Sequence, residues 1–219
     1  MQDRTVAIIR GGGKQGAVVF ETVKLSYCRI MIWDDGPSVH PLLVTFPRFS
    51  VEMVHNLDAD EIHCFVAIGS GATRRKLVEA AKEALKGARL VFPSVIHSLA
   101  FISPSATINQ GCYVGPFALV NTAATVGEFC LINSAAIVEH DCVVGDYVTL
   151  NPGSVLLGTV QVGANSTVNA KATVRENHSV GENTVIGMGA TVVGSVESLE
   201  NGFWGGVPAR AVFPERDKK

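Results

Sequence analysis

The 219-residue chain has little charge and almost no net charge: 17% of its residues are Asp, Glu, Lys or Arg, and the balance is −2. It has no Lys/Arg cluster, so nucleic acid is not an expected partner. No apolar run approaches the roughly 18 residues of a membrane span, and no membrane partner is expected either. The start, MQDRTVAIIRGGG, lacks the long apolar segment of a secretory signal. The five cysteines (28, 64, 112, 130 and 142) show neither CxxC nor metal-ligand spacing. These absences leave a soluble, cytoplasmic protein of one or two domains, long enough to bury a real core.

What the chain does have is a beat of six. Every sixth residue from Ile102 to Val192 is Val, Ile or Leu, sixteen consecutive positions without a miss. A period of two would mark a strand and 3.6 a helix; a sustained period of six marks the coils of a parallel β-helix. Four residues after each aliphatic comes a second slot, mostly small: Ala106, Cys112, Ala118, Ala124, Cys130, Ala136, Cys142, Ser154, Ser166, Ala172. One large and one small inward residue per hexapeptide fill a narrow triangular core. The three cysteines in this slot read as packing, not as disulfides or catalysts. Gly or Asn often follows the aliphatic (Gly115, Asn121, Gly127, Asn133), and the expectation is that these supply the left-handed backbone of a tight corner. Three hexapeptides make a coil of 18 residues, so residues 18 apart should form columns.

The beat is absent before about residue 95. There, apolar runs at Thr5–Arg10, Cys28–Trp33, Ile62–Ile68 and Leu90–Phe92 alternate with helical stretches at Ala17–Leu25 and Ala72–Lys86. Strands alternating with helices predict a small, Rossmann-like parallel α/β domain. The expected organisation is thus α/β plus β: residues 1–95 as an α/β domain, and 96–219 as a β-helix closed by a C-terminal cap. Gly205–Arg210 reads as that turn and cap, and Arg210 as a solvated charge.

Two places carry chemistry. Gly11-Gly12-Gly13-Lys14-Gln15-Gly16 fits G-x-G-x-x-G between a strand and a helix, and Asp34-Asp35 ends the next strand. Such glycines let phosphates approach the backbone, and a carboxylate can hold a ribose or base. The domain has room for about half a dinucleotide fold, so a mononucleotide or nucleotide-sugar fits better than NAD. The second place is His140, two positions after Val138 and therefore outward, between Glu139 and Asp141. An imidazole beside a carboxylate makes a general base near neutral pH. Its column holds Thr122 before it and Gly158 after it, and Gly158 can present a bare backbone N–H as an oxyanion donor. The only other histidine of the repeats, His178, falls in the small inward slot and reads as a packing irregularity with a satisfied ring. No metal site is expected, because zinc needs three or four converging ligands. His40, His55, His63 and His97 have no readable role.

Together these features resemble the left-handed β-helix acyltransferases that N-acetylate the 4-amino group of nucleotide-linked sugars, with sialic acid O-acetyltransferases as close relatives. The segments that carry the resemblance are GGGKQG, the WDD turn, the AIGSG loop with Gly69, SPSATI, NSAAIVEHDCVVGDYV and VPAR. The resemblance implies the left hand of the coil, His140 as base, Asp141 raising its basicity and Asn133 supporting the reacting centre. It implies acetyl-CoA as co-substrate, touched at Thr149 and through the backbones of Ala170 and Met188. It also implies a homotrimer with active sites between subunits and a part in bacterial surface-glycan synthesis, including lipopolysaccharide. The chain departs from many relatives at Lys14-Gln15-Gly16, where they carry Gly-His-Gly, and at Thr149, where some carry histidine. The departures bear on nucleotide or sugar preference and on one CoA contact. Two other readings stand beside this one: an O-acetyltransferase for a sialic-type sugar, and a non-enzymatic scaffold that binds nucleotide through residues 1–95.

Overall fold

A computed structural model describes residues 4–200 and 202–213. By internal contacts the chain divides into two compact units, Met1–Val95 and Ile96–Lys219.

In the first unit the apolar runs become parallel strands β1 (Thr5–Arg10), β2 (Ile30–Trp33), β3 (Glu61–Val66) and β4 (Leu90–Val91), in the order β2-β1-β3-β4. Val6, Ala7, Ile8 and Ile9 are fully buried, as a central parallel strand with both faces covered requires. Helix α1 (Lys14–Val23) follows β1, and α2 (Gly71–Ala84) follows β3. The chain leaves β1 towards one side of the sheet and reaches β3 on the other, so the loops after β1 and β3 adjoin a topological switch point. That is where open α/β sheets bind ligands. Two short 3₁₀ segments, Pro41–Leu43 and Val51–Asn56, lie between β2 and β3 and have no counterpart in the periodic reading. Arg48 bridges to Ile32 and extends the sheet edge there.

In the second unit each hexapeptide gives a strand of two residues, and strands 18 apart pair in parallel. Three faces result. The first, of eight strands, includes Leu131–Ile132 and Thr149–Leu150; the second, of six, includes Ile137–Val138 and Val155–Leu156; the third, of five, includes Val143–Val144 and Gln161–Val162. From Val114 to Val192 every sixth aliphatic is buried in one continuous core, while Ile102 and Ile108 are half-buried at its open end. The thiols of Cys112, Cys130 and Cys142 donate to the carbonyls of Gly127, Gly145 and Leu157, 15 residues on, and none of the five cysteines is in a disulfide. The strands Phe203–Gly205 and Arg210–Val212 form an antiparallel hairpin that closes the first face against Ile186.

The corners differ from expectation. The left-handed residue is the third after each aliphatic, not the first: the positions from 111 to 189 in steps of six all have positive φ, and only Gly111, Gly153 and Gly189 among them are glycine. From Phe117 onward each donates its amide one coil back, Ala123 to the Ser105 hydroxyl (3.1 Å) and the others to a carbonyl, as Asp141 does to that of Thr122 (2.9 Å) and Thr159 to that of His140 (2.9 Å). The glycines directly after the aliphatic answer a different constraint. A Cβ at Gly115 would lie 2.9 Å from the Ser134 nitrogen, and one at Gly145 would lie 2.8 Å from the Ala164 nitrogen. The next coil passes too close for a side chain. Asparagine is accepted at the same place because it stacks: Asn133 donates to Asn151 (3.4 Å), Asn151 to Asn169 (2.9 Å), and Asn169 to the Ile186 carbonyl (2.9 Å).

His178 also departs from its expected place. Other residues of its slot, such as Cys142, Val160 and Thr184, are fully buried, whereas His178 is half-buried. The last coil cuts this corner, pairing Val180 with Val196 sixteen residues on instead of eighteen. The shortfall opens a recess of about 380 Å³ lined by Thr159, Gln161, Asn177, His178, Ser179 and Ser195. Among the described residues the ring has no hydrogen-bond partner.

Candidate active site

His140 stands at the corner between the second and third faces, with its side chain 55% exposed. The next residue, Asp141, is one of the left-handed positions (φ 58°), and this conformation turns its carboxylate back on the ring: Nδ1 and Asp141 Oδ2 are 2.8 Å apart. Nδ1 is therefore the protonated nitrogen, and Nε2 is left as the acceptor. Below the ring, Glu139 is tied to the Asn121 amide (2.8 Å) and accepts the His140 backbone N–H (3.4 Å). Above it lies Gly158. A Cβ there would come within 2.5 Å of Nε2 and 2.6 Å of Cε1, so the Nε2–Cε1 edge rests directly over the Gly158 α-carbon. Among the described residues the Gly158 N–H donates to no protein acceptor, while its carbonyl accepts from Asn177 (3.2 Å).

The other residues named for this chemistry stand elsewhere. Asn133 belongs to the asparagine ladder at the corner between the first and second faces. Ala170 and exposed Met188 share that corner, one coil apart. Within one chain they do not converge with His140. Thr149 reaches neither corner: it is a strand residue of the first face, 3% exposed, so its side chain is closed to a ligand in the single chain.

In the first unit the three motif glycines have separate reasons. Gly11 adopts φ 114° while its amide bonds the Trp33 carbonyl (2.9 Å). Gly16 lets α1 pack on the strand end, since a Cβ there would overlap the Gly11 carbonyl oxygen. Gly13 is exposed, with nothing within 4 Å of a would-be Cβ, and as N-cap it supplies no side-chain bond to the first turn of α1. An uncapped helix N-terminus behind an open glycine suits an anion. The N-terminus of α2, in contrast, is capped by Ser70 on the Thr73 amide (3.4 Å). Lys14 is exposed beside the open end, and the Gln15 Nε2 is buried without a partner. Gly12 is enclosed instead, because a Cβ there would run into Val39.

The two aspartates of the turn separate as well. Both oxygens of Asp34 are engaged within the fold, by the Gly12 amide (2.5 Å) and the Gly36 amide (2.7 Å). Asp34 ties the glycine loop to the turn. Asp35 is exposed and held by Arg10, whose Nη2 lies 2.6 Å from Oδ2; this bond keeps the Asp35 carboxyl below its ordinary range. Across the switch point, exposed Gly69 has open space before it, and buried Arg74 braces its loop through the Ile68 (2.7 Å) and Gly69 (3.1 Å) carbonyls. Sequence reasoning missed Arg10 and Arg74. For Arg10 the signal was a cation closing an otherwise apolar strand directly before the glycines.

Comparison with known proteins agrees with both units. Residues 6–81 match the family model described as the PglD N-terminal domain. Over 95% of its length the chain superimposes on 97% of a mutant perosamine N-acetyltransferase from Caulobacter crescentus, solved in complex with CoA and GDP-perosamine (TM-score 0.84, 27% identity). The acetyltransferase domain of PglB from Neisseria gonorrhoeae, solved with acetyl coenzyme A, is 30% identical; the match covers 96% of this chain and 100% of that one (TM-score 0.83). WeeI from Acinetobacter baumannii is similar over 95% and 100% of the two chains (TM-score 0.84, 25% identity).

Proposed function

The chain belongs to the left-handed β-helix acyltransferases of the nucleotide-amino-sugar N-acetyltransferase family, and on that premise we propose that it transfers the acetyl group of acetyl-CoA to the 4-amino group of a nucleotide-linked amino-deoxy sugar. The observation that carries the mechanism is the His140–Asp141 pair, with Nδ1 held and Nε2 free over a glycine. As the sugar amine attacks the thioester carbonyl, the C–N bond forms and Nε2 takes the amine proton. Asp141 accepts from Nδ1–H and stabilises the imidazolium that results. The tetrahedral oxyanion finds a donor in the Gly158 N–H. Collapse breaks the C–S bond, and the leaving CoA thiolate takes the proton from Nε2. No acyl-enzyme is needed, because an amine is already a sufficient nucleophile.

The outward residues of the second face support a reading of the assembly. Phe101, Leu119, Ile137 and Val155 form a continuous apolar stripe that is only part-covered, whereas the third face shows Thr107, Thr125, Gln161 and Ser179 around a single exposed aliphatic, Val143. Turning the apolar face towards a threefold axis would bring the Asn133–Ala170–Met188 corner of one copy to the His140 corner of the next. One chain cannot bring these two corners together. We therefore read the protein as a homotrimer with acetyl-CoA between copies, and the Gly11–Gly13 loop with Lys14, Gln15, Asp35 and Gly69 as the sugar-nucleotide site. No described helix is long and apolar enough to cross a membrane. A cytoplasmic enzyme supplying surface-glycan synthesis, where both substrates are made, fits this reading.

The test is acetyl transfer to UDP-, dTDP- and GDP-linked 4-amino-sugars, with free sialic acid as the competing hydroxyl acceptor. His140→Asn should lower kcat by about 10²–10⁴ with little change in the KM for acetyl-CoA. Near wild-type kcat in that variant at pH 7 would place the base elsewhere.

A further inference from the structure

Arg10 is an unusual residue for its position. It ends the central strand β1, immediately before the glycine loop, and its side chain is only 6% exposed. The guanidinium lies over the Trp33 ring (4.5 Å to the centroid), reaches towards the Trp33 carbonyl (Nη1 to O, 3.4 Å) and pairs with Asp35 (2.6 Å). Its Nε is buried without a partner. Every contact named here comes from the end of β2 and the turn after it.

Burying a guanidinium is unfavourable unless its charge is fully met, and a buried pair seldom stabilises a fold more than an apolar side chain of the same volume. A Met or Leu would pack on the sheet face that carries Ile8, Met31 and Trp33 without that cost. The pair is also lopsided: the arginine is buried, while the Asp35 side chain is 74% exposed and has no need of a partner to stay in solution. Asp34, the other carboxylate of the turn, already has both oxygens on loop amides. Asp35 is thus the carboxylate of this turn with an oxygen left over, and the Asp34–Gly12 bond ties the turn to the glycine loop.

We propose that Arg10 is a positioning residue for the nucleotide: it clamps one oxygen of Asp35 so that the carboxylate is presented in a fixed orientation to a hydrogen-bond donor of the nucleoside, a ribose hydroxyl or a ring N–H. The proposal rests on reading the glycine loop and Asp35 as the sugar-nucleotide site. Its physical content is preorganisation. A surface aspartate that is already held loses no rotamer freedom when ligand binds, and the planar fork of arginine, stacked on Trp33, fixes a carboxylate in a way an ammonium does not.

The experiment is calorimetric titration of the full-length protein with UDP, dTDP and GDP, using whichever binds most tightly. The variants are R10M, R10K, D35N and the double variant R10M/D35N, with CoA titrated in parallel. D35N should weaken nucleotide binding about tenfold or more, and R10M by about three- to tenfold, as expected for the loss of one preorganised contact. The double variant should be no weaker than D35N, because Arg10 acts through Asp35. R10K should fall between R10M and wild type, and CoA affinity should be unchanged throughout. Unchanged binding in R10M, or a double variant that adds the two losses, overturns the proposal while leaving Asp35 as a ligand contact. Unchanged binding in D35N overturns both. Melting curves establish that each variant folds; should R10M not fold, R10K and R10K/D35N provide the same cycle.

Discussion

Gly158→Ala is the substitution that most directly tests whether the imidazole acts from the place described. The new methyl would lie 2.5 Å from His140 Nε2 and 2.6 Å from Cε1, where ordinary contacts are about 3.5–4.0 Å. The ring must retreat by about 1 Å. The backbone at 158 is not among the left-handed positions, so alanine brings no torsional strain. The ring is half-exposed and free to swing towards solvent. Stability should therefore fall by no more than about 1 kcal/mol, a melting shift of about 2–4 °C for a chain of this size. Catalysis should suffer far more, because a displacement of about 1 Å in a reacting group can cost about 100-fold in rate, or some 2.7 kcal/mol of barrier. The assay is steady-state release of CoA thiol with a 4-amino-sugar nucleotide, alongside thermal melting. Gly163→Ala is the control with the opposite signature: its methyl would strike the Glu182 backbone, which cannot yield. That variant should lose about 1–3 kcal/mol of stability while folded molecules keep near-normal kcat. A Gly158→Ala enzyme with kcat within threefold of wild type would refute the placement of the base.

Other outcomes are equally definite. Gly13→Asp adds a carboxylate in open space at the N-cap of α1, so it should raise or preserve the melting temperature, as a capping residue does, yet weaken nucleoside diphosphate binding by about tenfold or more in a titration. Burial pushes the Cys64 thiol up to about 12 and Cys142 up to about 11, whereas Cys28 is exposed. A thiol reagent at pH 8 should therefore modify one cysteine per native chain quickly, and all five only after unfolding. Ile137→Glu places a charge in the apolar stripe of the second face. Light scattering should then change from a particle three times the 23.2 kDa chain to the monomer, with activity lost in parallel.

The parts of this protein that repeat are legible in the sequence, and the parts that depend on one close approach are not. Sixteen aliphatics at a spacing of six define inward positions and columns, because packing imposes the period directly. The left-handed corners fall on a different residue from the one the glycines suggest, because glycine has two uses, positive φ and lack of bulk. At Gly115 and Gly145 the second applies, while φ is positive at Phe117, Asp141 and Tyr147. His140 and Asp141 could be paired from their adjacency, but the division of labour between Asp34 and Asp35 could not, since it depends on where the Gly12 amide points. His178 misled for a similar reason: the shortened last coil has no signature in a window of six. Asn133 and His140 occupy different corners of one chain, so bringing them together requires the proposed trimer, and the choice of inward face belongs to the assembly and not to the hexapeptide pattern.

Because each coil of the second unit pairs with the coils directly before and after it, the unit behaves as a one-dimensional stack held by nearest-neighbour interfaces. Such a stack frays from its ends, and the central layers open last. Ile102 and Ile108 mark the loosely covered end, and the hairpin at Phe203–Val212 closes one side of the other. His140 sits between them, with fully buried layers at Val126, Val144 and Val162 around it. Amide exchange should accordingly be slowest around residues 126–156 and faster towards both ends. His140, the proposed base, is thus carried by the most persistent layers of the stack, so partial unzipping at either terminus leaves its geometry intact.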